Sequence, residues 1–517
     1  MNLNAPRPLD EVIAGGWNRV DPAMKIAFVA TICVSVLAFG FEMTNLSMIH
    51  DDFSYIFLES PILGRFMGRF GFGWFHYYTQ GAFLMPFLQM AQGIVFMAVY
   101  GLVVARFWGA HRPLDLALIA SVVCVFPYMA QVYQFNVSMA PFPLAHLLSA
   151  LAAAVSTRAR PLPALAASVL YAAAFSIYQS VLANACTILG VWLLARLLFS
   201  DLGDGETRRK LARQVLAAAL ALAGGGLLYV GAVHLLGLPI DDPRQAAGEA
   251  FRLSGAFGSL DGIARVATGT RAFFFWPESY FPLYLKQLQF LFILAAVLLC
   301  VVLPRSVAQK LAALVMVALV LLAPRALQLL HPAGYYPNRA LTAYALVIAG
   351  SIALVHRSGS PQIRNVSIVA SAVLLWGYLL QCNWISTVNY LNTSAHRAAF
   401  TQVLASLQSV GRDAWDGRNV VVVGRLNMSA EFPFRQSDGV ASEFLDGVHM
   451  QEISRLMRTG VTFAPDDGTD PRVREFATGR RPWPHPQSVG IIEDTGVVVL
   501  SNDRYGSGAG GAPAHAR

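Results

Sequence analysis

Residues 25–53 read KIAFVATICVSVLAFGFEMTNLSMIHDDF, and this stretch decides how the rest of the chain is interpreted. Its first part, residues 25–46, is an apolar run long enough to cross a lipid bilayer as a helix. Its end, His50-Asp51-Asp52-Phe53, places two adjacent carboxylates where a membrane helix should finish. A carboxylate can accept a proton from a hydroxyl or hold a divalent metal ion. We therefore expect chemistry at one surface of a membrane.

An arginine-bearing segment, Gly64-Arg65-Phe66-Met67-Gly68-Arg69-Phe70-Gly71, follows the acid pair. Arg65 and Arg69 are four residues apart, so on a helix they would share one face. Because a guanidinium fork can hold a phosphate through two hydrogen bonds, the pattern favours chemistry on a phosphate-bearing lipid. The alternative is structural: the aspartates cap a helix, and the arginines extend to anionic lipid headgroups.

Composition predicts an all-α polytopic membrane protein. Hydrophobic residues make up 56% of the 517 and charged residues 13%, against about 25% charge in a typical soluble domain. The apolar residues fall into eleven runs of spanning length. The predicted spans are residues 25–46, 82–105, 114–129, 142–157, 162–177, 181–199, 214–236, 285–303, 310–330, 340–355 and 366–386.

Basic residues orient these spans. With the N-terminus inside, the inner segments hold 16 Lys and Arg, and the outer loops between spans hold 9. Cytoplasmic loops carry the excess of positive charge in membrane proteins, so we expect a cytoplasmic N-terminus and an external C-terminus. The net charge of +8 is therefore explained by basic residues in loops that orient the spans, and nucleic acid is not an expected partner.

Four regions follow from this topology. They are a cytoplasmic N-terminus (1–24), a membrane domain (25–386) with long outer loops at 47–81 and 237–284, a small external α/β domain (387–504) and a disordered Gly- and Ala-rich tail (505–517). The first outer loop is expected to include a helix lying in the interface. In the external domain the pattern predicts helices at 395–410 and 449–459, and strands at 419–424 and 496–501.

Further candidate residues lie at the predicted outer surface. Arg339, which follows two tyrosines in a short loop, and Lys286 and Arg271, beside the second long loop, are candidate phosphate ligands. Tyr178-Gln179 and Tyr133 stand at the outer ends of spans, where they would bind sugar hydroxyls or belong to the aromatic belt. If a divalent cation such as Mg or Mn is needed, its candidate ligands are Asp51, Asp52 and His50.

This pattern resembles the GT-C fold of polyprenyl-phosphate-sugar-dependent glycosyltransferases, and more narrowly the Gtr-type glucosyltransferases of bacterial O-antigen modification. The resemblance rests on His50-Asp51-Asp52, Gly68-Arg69-Phe70-Gly71, Tyr178-Gln179, Trp483-Pro484 and Val497-Val498-Val499-Leu500-Ser501. That family usually has tryptophan after the Gly-Arg pair, where this chain has phenylalanine.

The resemblance implies an inverting hexosyl transfer in the bacterial inner membrane. A sugar, expected to be glucose, would leave a polyprenyl-phosphate carrier on the periplasmic face and join a glycan acceptor such as the O-antigen of lipopolysaccharide. Asp51 or Asp52 would act as general base or hold a metal ion. Arg65, Arg69 and Arg339 would neutralise the leaving phosphate, and the external domain would bind the glycan.

Two other classes of function stay open at this point. One is a polysaccharide or lipid-linked sugar transporter or flippase, although such proteins usually place charges near the membrane midplane and show two related halves. The other is a non-catalytic assembly protein for envelope glycan. A transfer assay with polyprenyl-phosphate glucose and a glycan acceptor separates both from the transferase.

The predicted topology has a direct test. A reporter that is active only in the periplasm, fused after residue 390, is expected to be active because an odd number of spans precedes it. A cytoplasmic reporter fused at the same residue is the matched control and is expected to be inactive. The reverse pair of activities would show that one span has been miscounted.

Overall fold

The structure is a computed structural model of the full chain. It describes residues 18–45, 47–48, 52, 68–80, 85–238, 260–276, 278, 280–303, 305–330, 337–410, 419–427, 444–478 and 480–502. The chain divides into two compact units, one of Met1–Asn45 with Leu58–Ser386, the other of Leu46–Phe57 with Thr387–Arg517.

The first unit is built from α-helices, the last of which continues beyond Ser386 into the second unit. In chain order they are α1 (Pro22–Thr44), α2 (Phe70–Gln80), α3 (Pro86–Phe107), α4 (Pro113–Cys124), α5 (Tyr128–Gln134), α6 (Pro141–Ser156), α7 (Pro161–Ile177), α8 (Val181–Phe199), α9 (Gly205–Leu235), α10 (Leu260–Phe275), α11 (Leu283–Val302), α12 (Val307–Leu322), α13 (Leu327–Leu330), α14 (Ala343–His356) and α15 (Pro361–Val410). Short 3₁₀ segments precede α6 and α14 and follow α12.

Nine helical segments within the described ranges are long and apolar enough to cross a membrane. A tenth span is formed if α4 and α5, which meet at a bend of 58°, count together, and α7 is a shorter apolar helix. Each of the eleven predicted spans thus contains a helix, which confirms the all-α polytopic class.

Proline decides where several of these helices begin and where one breaks. A proline stands in the first turn of α1, α3, α4, α6 and α7, where its missing N–H removes no intrahelical bond. Pro127 lies between α4 and α5 and cannot donate to the preceding turn, so the helix bends there. The bend directs α5 toward the 3₁₀ segment that precedes α14, where the candidate site lies.

Helix α14 is the centre of the first unit, because all 14 of its residues are buried. Around it pack α4, α8 and α11. A second contact joins α7 to α9 through the glycine run Gly224-Gly225-Gly226 of α9. A Cβ on Gly224 would lie 2.8 Å from the Ser168 hydroxyl, and one on Gly225 would lie 3.0 Å from the Ser168 carbonyl, whereas Gly226 has open space beside it.

Two elements differ from the expectation. The sequence pattern predicts no element in the second outer loop, which contains α10, a helix that ends at the Phe273-Phe274-Phe275 run. Phe273 and Phe274 are buried while Phe275 and Trp276 are exposed, so one face of this run packs inward. The last predicted span and the predicted helix at 395–410 are one continuous 50-residue helix, α15, because nothing between residues 386 and 395 breaks it.

The second unit contains a four-stranded sheet. Its elements are β1 (Asn419–Val423), β2 (Leu426–Asn427), β3 (Phe444–Leu445), α16 (Gly447–Met457), β4 (Thr462–Pro465), α17 (Pro471–Thr478), β5 (Val489–Ile492) and β6 (Thr495–Val499). The order is β4-β1-β6-β5, with β1 parallel to both neighbours and β5 antiparallel to β6. Helix α17 covers one face at Val423, Val497 and Val499. The predicted strands and the predicted α16 are present.

Neighbouring glycines in α9 provide a matched test of the packing. We expect Gly225→Ala to lower the melting temperature of the purified protein, because the new methyl would meet backbone and Tyr171 of α7, at a cost of about 1–3 kcal/mol. Gly226→Ala, the control, adds the same methyl into open space and is expected to be neutral or slightly stabilising. Equal melting temperatures for the two variants would contradict this packing.

Candidate functional site

The predicted Gly68-Arg69 motif begins α2, and its conformation requires glycine. Gly68 has φ +64°, in the left-handed region, and a Cβ there would lie 2.7 Å from the Tyr229 hydroxyl. That hydroxyl donates a hydrogen bond to the Gly68 carbonyl oxygen at 3.1 Å. A side chain at position 68 would therefore strain the backbone and displace Tyr229. Helix α9 thus fixes the turn from which Arg69 projects.

Gln179 connects this turn to the arginine itself. Its side-chain nitrogen donates to the Tyr229 hydroxyl at 3.0 Å, and its side-chain oxygen accepts from Nε of Arg69 at 3.0 Å. The amide is oriented by both partners, since only its oxygen can accept from a guanidinium. Three elements, the turn before α2, the turn after α7 and α9, therefore hold one guanidinium in place.

Aromatic rings complete the setting of Arg69. Its Cζ lies 5.3 Å from the centroid of the Tyr178 ring and 5.6 Å from that of Phe142. The two rings stack on each other at 3.9 Å with an interplanar angle of 12°. Cations are attracted to the negative faces of aromatic rings, so this stack offsets part of the cost of taking the charge out of water.

Arg339 approaches the same tyrosine from the start of α14. Its backbone N–H donates to the Gln131 side chain at 2.6 Å, and its Cζ lies 4.0 Å from the centroid of the Phe135 ring. Burial raises the pKa of the Tyr178 phenol, and the charges of Arg339 and Arg69 both act against that rise. The charges of both arginines therefore act on Tyr178, although the two residues are 270 positions apart in the chain.

A buried histidine ties the two sides of this site together. Nδ1 of His146 donates to the Phe142 carbonyl at 2.7 Å, so the other ring nitrogen accepts from the Thr342 hydroxyl at 3.0 Å. The bond joins α6, which carries Phe142, to the residue directly before α14. His146 is therefore a hydrogen-bonded residue of the core.

Lys286 lies in a second polar cluster. Its ammonium nitrogen is 3.5 Å from a carboxylate oxygen of Glu278 and donates to the backbone carbonyls of Phe273 at 2.7 Å and Trp276 at 2.5 Å. The other Glu278 oxygen accepts from the Tyr128 hydroxyl at 2.8 Å. Burial raises the pKa of Glu278, and Lys286 opposes the rise. These contacts join α10 to α11, and a phosphate would have to compete with Glu278 for the lysine.

The other predicted site residues lie in different surroundings. Arg271 is exposed on α10, and Tyr133 is buried against Phe39 of α1, with ring centroids 4.6 Å apart. Asp52 belongs to the second unit and is fully buried. His50, Asp51 and Arg65 lie outside the described residues. Within the described ranges, no group of three His, Cys, Asp or Glu side chains is arranged to hold a metal ion.

Sequence reasoning missed the residues that position the arginines. Tyr229 lies within a predicted span, Phe142 at the start of another, and Glu278 in a long loop, and none forms a local motif with Arg69 or Lys286. One signal was present for Tyr229. It lies one helical turn after Gly225, on the face that the glycine run marks as a packing surface.

Comparison with known protein families adds an independent finding. Residues 40–356 match the family model described as Glucosyl transferase GtrII, which covers more than half of the chain. The matched region contains the acid pair, the Gly68-Arg69 motif, Tyr178 and Arg339, and it ends with α14. No curated protein matches the chain.

The Lys286–Glu278 pair has a stability test that separates a structural role from ligand binding. We expect Lys286→Met to destabilise the protein by about 3–5 kcal/mol, because it leaves a largely buried carboxylate without its cation. Adding Glu278→Gln should restore most of the melting temperature, since the amide carries no charge and still accepts from Tyr128. A double variant no more stable than Lys286→Met alone would show that the pair does not carry this effect.

Proposed function

Because the chain belongs to the Glucosyl transferase GtrII family, we propose that it moves a glucosyl unit from a polyprenyl-phosphate carrier to a hydroxyl of a cell-envelope glycan such as O-antigen. In this proposal the protein is a GT-C-type enzyme of the bacterial inner membrane, with its active site on the periplasmic face and its N-terminus in the cytoplasm. The observation that carries the proposal is that Arg69 lies against the Tyr178 ring and that the charge of Arg339 acts on the same tyrosine.

The two arginines suit the leaving group of this reaction. When the bond between the anomeric carbon and the phosphate oxygen breaks, the carrier phosphate gains negative charge. Fixed cations that face the developing charge lower the barrier, because they need not reorganise during the step. Arg69 is held by Gln179 and the Phe142–Tyr178 stack, and Arg339 lies against Phe135, so both guanidinia are positioned before a donor arrives.

The acceptor side of the reaction requires a base. The attacking glycan hydroxyl forms its bond to the anomeric carbon from the face opposite the phosphate, which inverts the configuration. In the proposal its proton passes to Asp52 or Asp51. A carboxylate suits this role because it accepts a proton without supplying a competing nucleophilic hydroxyl. Tyr178 and Gln179, next to the phosphate-binding arginines, would contact the transferred sugar, and the second unit would bind the acceptor.

The decisive experiment supplies the purified protein with radiolabelled polyprenyl-phosphate glucose and a glycan acceptor. Label is expected to move to the acceptor with inverted anomeric configuration, read by nuclear magnetic resonance. A nucleotide-linked glucose of the same label serves as the control donor and is expected to be inactive, since it lacks the lipid. Transfer from the nucleotide sugar alone would overturn the carrier assignment, and movement of intact lipid across the membrane without transfer would indicate a flippase.

The acid pair has a specific prediction. We expect Asp52→Asn or Asp51→Asn to lower the transfer rate by about 10²–10⁴-fold, the usual contribution of a general base. The amide has the same shape as the carboxylate, so expression should be retained. Asp467→Asn, in the exposed member of another Asp-Asp pair, is the matched control and should transfer normally. Near-normal rates for both test variants would remove the base from the proposal.

The arginines have a prediction that distinguishes geometry from charge. Arg69→Lys and Arg339→Lys keep the positive charge but lose the planar two-bond grip, so we expect each to slow transfer by about tenfold or more. Arg265→Lys, at an exposed position of α10, is the control and should have little effect. If lysine supports full activity at positions 69 and 339, the two residues serve only as general positive charge.

A further inference from the structure

A second basic site lies at the other end of helix α14, in a cavity of about 270 Å³. The cavity is formed by the turn between α3 and α4 and the turn between α14 and α15. Arg339 stands before the first residue of α14 and His356 is its last, so the helix separates the two sites by about 20 Å at 1.5 Å per residue. The predicted topology assigns this end to the cytoplasmic side.

The lining of the cavity has a surplus of positive charge. Its arginines are Arg112, Arg357 and Arg364, and its single carboxylate is Asp115. Asp115 is occupied by a 2.8 Å contact with Arg364 and lies 3.1 Å from Nδ1 of His356. One acid therefore faces three guanidinia, and an anion entering the cavity would meet net attraction.

Buried polar atoms in the wall lack partners. The His356 side chain is 2% exposed, and its Nε2 has no hydrogen-bond partner within the described part of the chain. Nε of Arg364 is likewise buried and unpaired there. Buried donors are nearly always satisfied in folded proteins, so unpaired groups in the wall of a polar cavity indicate a ligand or water that completes them.

Two helix N-termini add to this electrostatic environment. Helix α4 begins at Pro113 and α15 at Pro361, both at the cavity. The free N–H groups in the first turn of a helix point out of its N-terminal end and carry partial positive charge. They therefore favour binding of an anion. Ser360, directly before α15, accepts from the Ile363 N–H at 3.4 Å.

We propose that this cavity binds a phosphate group, either the headgroup of an anionic lipid or a free phosphate. A phosphate offers several strong acceptors, and it would accept from the unpaired Nε–H of Arg364 and from Nε2 of His356 in its imidazolium form, while neutralising the surplus of arginine charge. Arg112 is exposed at the rim of the cavity and would contact the phosphate from the open side. This site is separate from the donor site at Arg69 and Arg339, and it stands whether or not the proposed transfer reaction is correct.

The test uses the full-length protein and two probes. In phosphatidylcholine nanodiscs, binding of inorganic phosphate is measured by calorimetric titration. In nanodiscs that also contain phosphatidylglycerol, retained phosphatidylglycerol is counted by native mass spectrometry. Arg112→Gln is expected to weaken binding of at least one probe about tenfold, the loss typical of one charge-assisted hydrogen bond. His356→Gln, the second variant, removes from the wall a ring whose charged form donates from both nitrogens, and it is also expected to weaken binding.

Arg160→Gln is the matched control. Like Arg112, Arg160 is exposed and directly precedes a helix that begins with proline on the same predicted side, but it does not line the cavity. A loss confined to the phosphate probe identifies free phosphate, and a loss confined to phosphatidylglycerol identifies the lipid. If neither probe binds, or if Arg160→Gln weakens binding as much as Arg112→Gln, the cavity is no phosphate site and the basic surface acts only as general positive charge.

Discussion

The guanidinium of Arg69 imposes the constraint on which the rest of the site depends. An arginine side chain cannot lose its charge in a protein. A largely enclosed guanidinium therefore needs hydrogen-bond acceptors and aromatic ring faces around it. Gln179 supplies an acceptor, and the stacked rings of Phe142 and Tyr178 supply the faces. Each of these residues comes from a different part of the bundle. The position of the arginine therefore fixes α2, α6, the turn after α7 and, through Tyr229, α9.

Three cations that look alike in the sequence have different roles in the structure. The charge of Lys286 is neutralised by Glu278, and its ammonium donates hydrogen bonds to two backbone carbonyls. These contacts join α10 and α11. Arg271 is exposed, where its interactions are screened by water. Arg339 has an aromatic ring beside it and, among the described residues, no carboxylate within ion-pair distance. The environment of a cation, and not its position at the membrane surface, decides whether it is suited to an anionic ligand.

The membrane helices could be predicted because their signal is local. A run of apolar residues of spanning length has few alternative structures, and the loop charges orient it. Features that depend on contacts between segments distant in the chain could not be predicted from the sequence. The predicted span ends at residue 386 although nothing there breaks the helix, and the sequence shows no local sign that the loop before α11 contains α10. The same limit applies to the site. Arg69 and Tyr178 were found through short motifs, whereas Tyr229 and Glu278 act through partners more than 100 residues away.

The contact between α7 and α9 shows that helix packing determines the geometry of the candidate site. In a bilayer, lipid tails are as apolar as the helix surfaces, so helices associate mainly through close van der Waals contact at small residues. Gly224 and Gly225 provide that contact against Ser168 and Tyr171. Tyr229 lies one turn further along the same face, and its hydroxyl holds both Gly68 and Gln179. The distance between α7 and α9 therefore sets the hydrogen bonds that orient Arg69. A single methyl group added at the glycine contact would reach the candidate site through that hydroxyl, without touching any residue that faces the ligand.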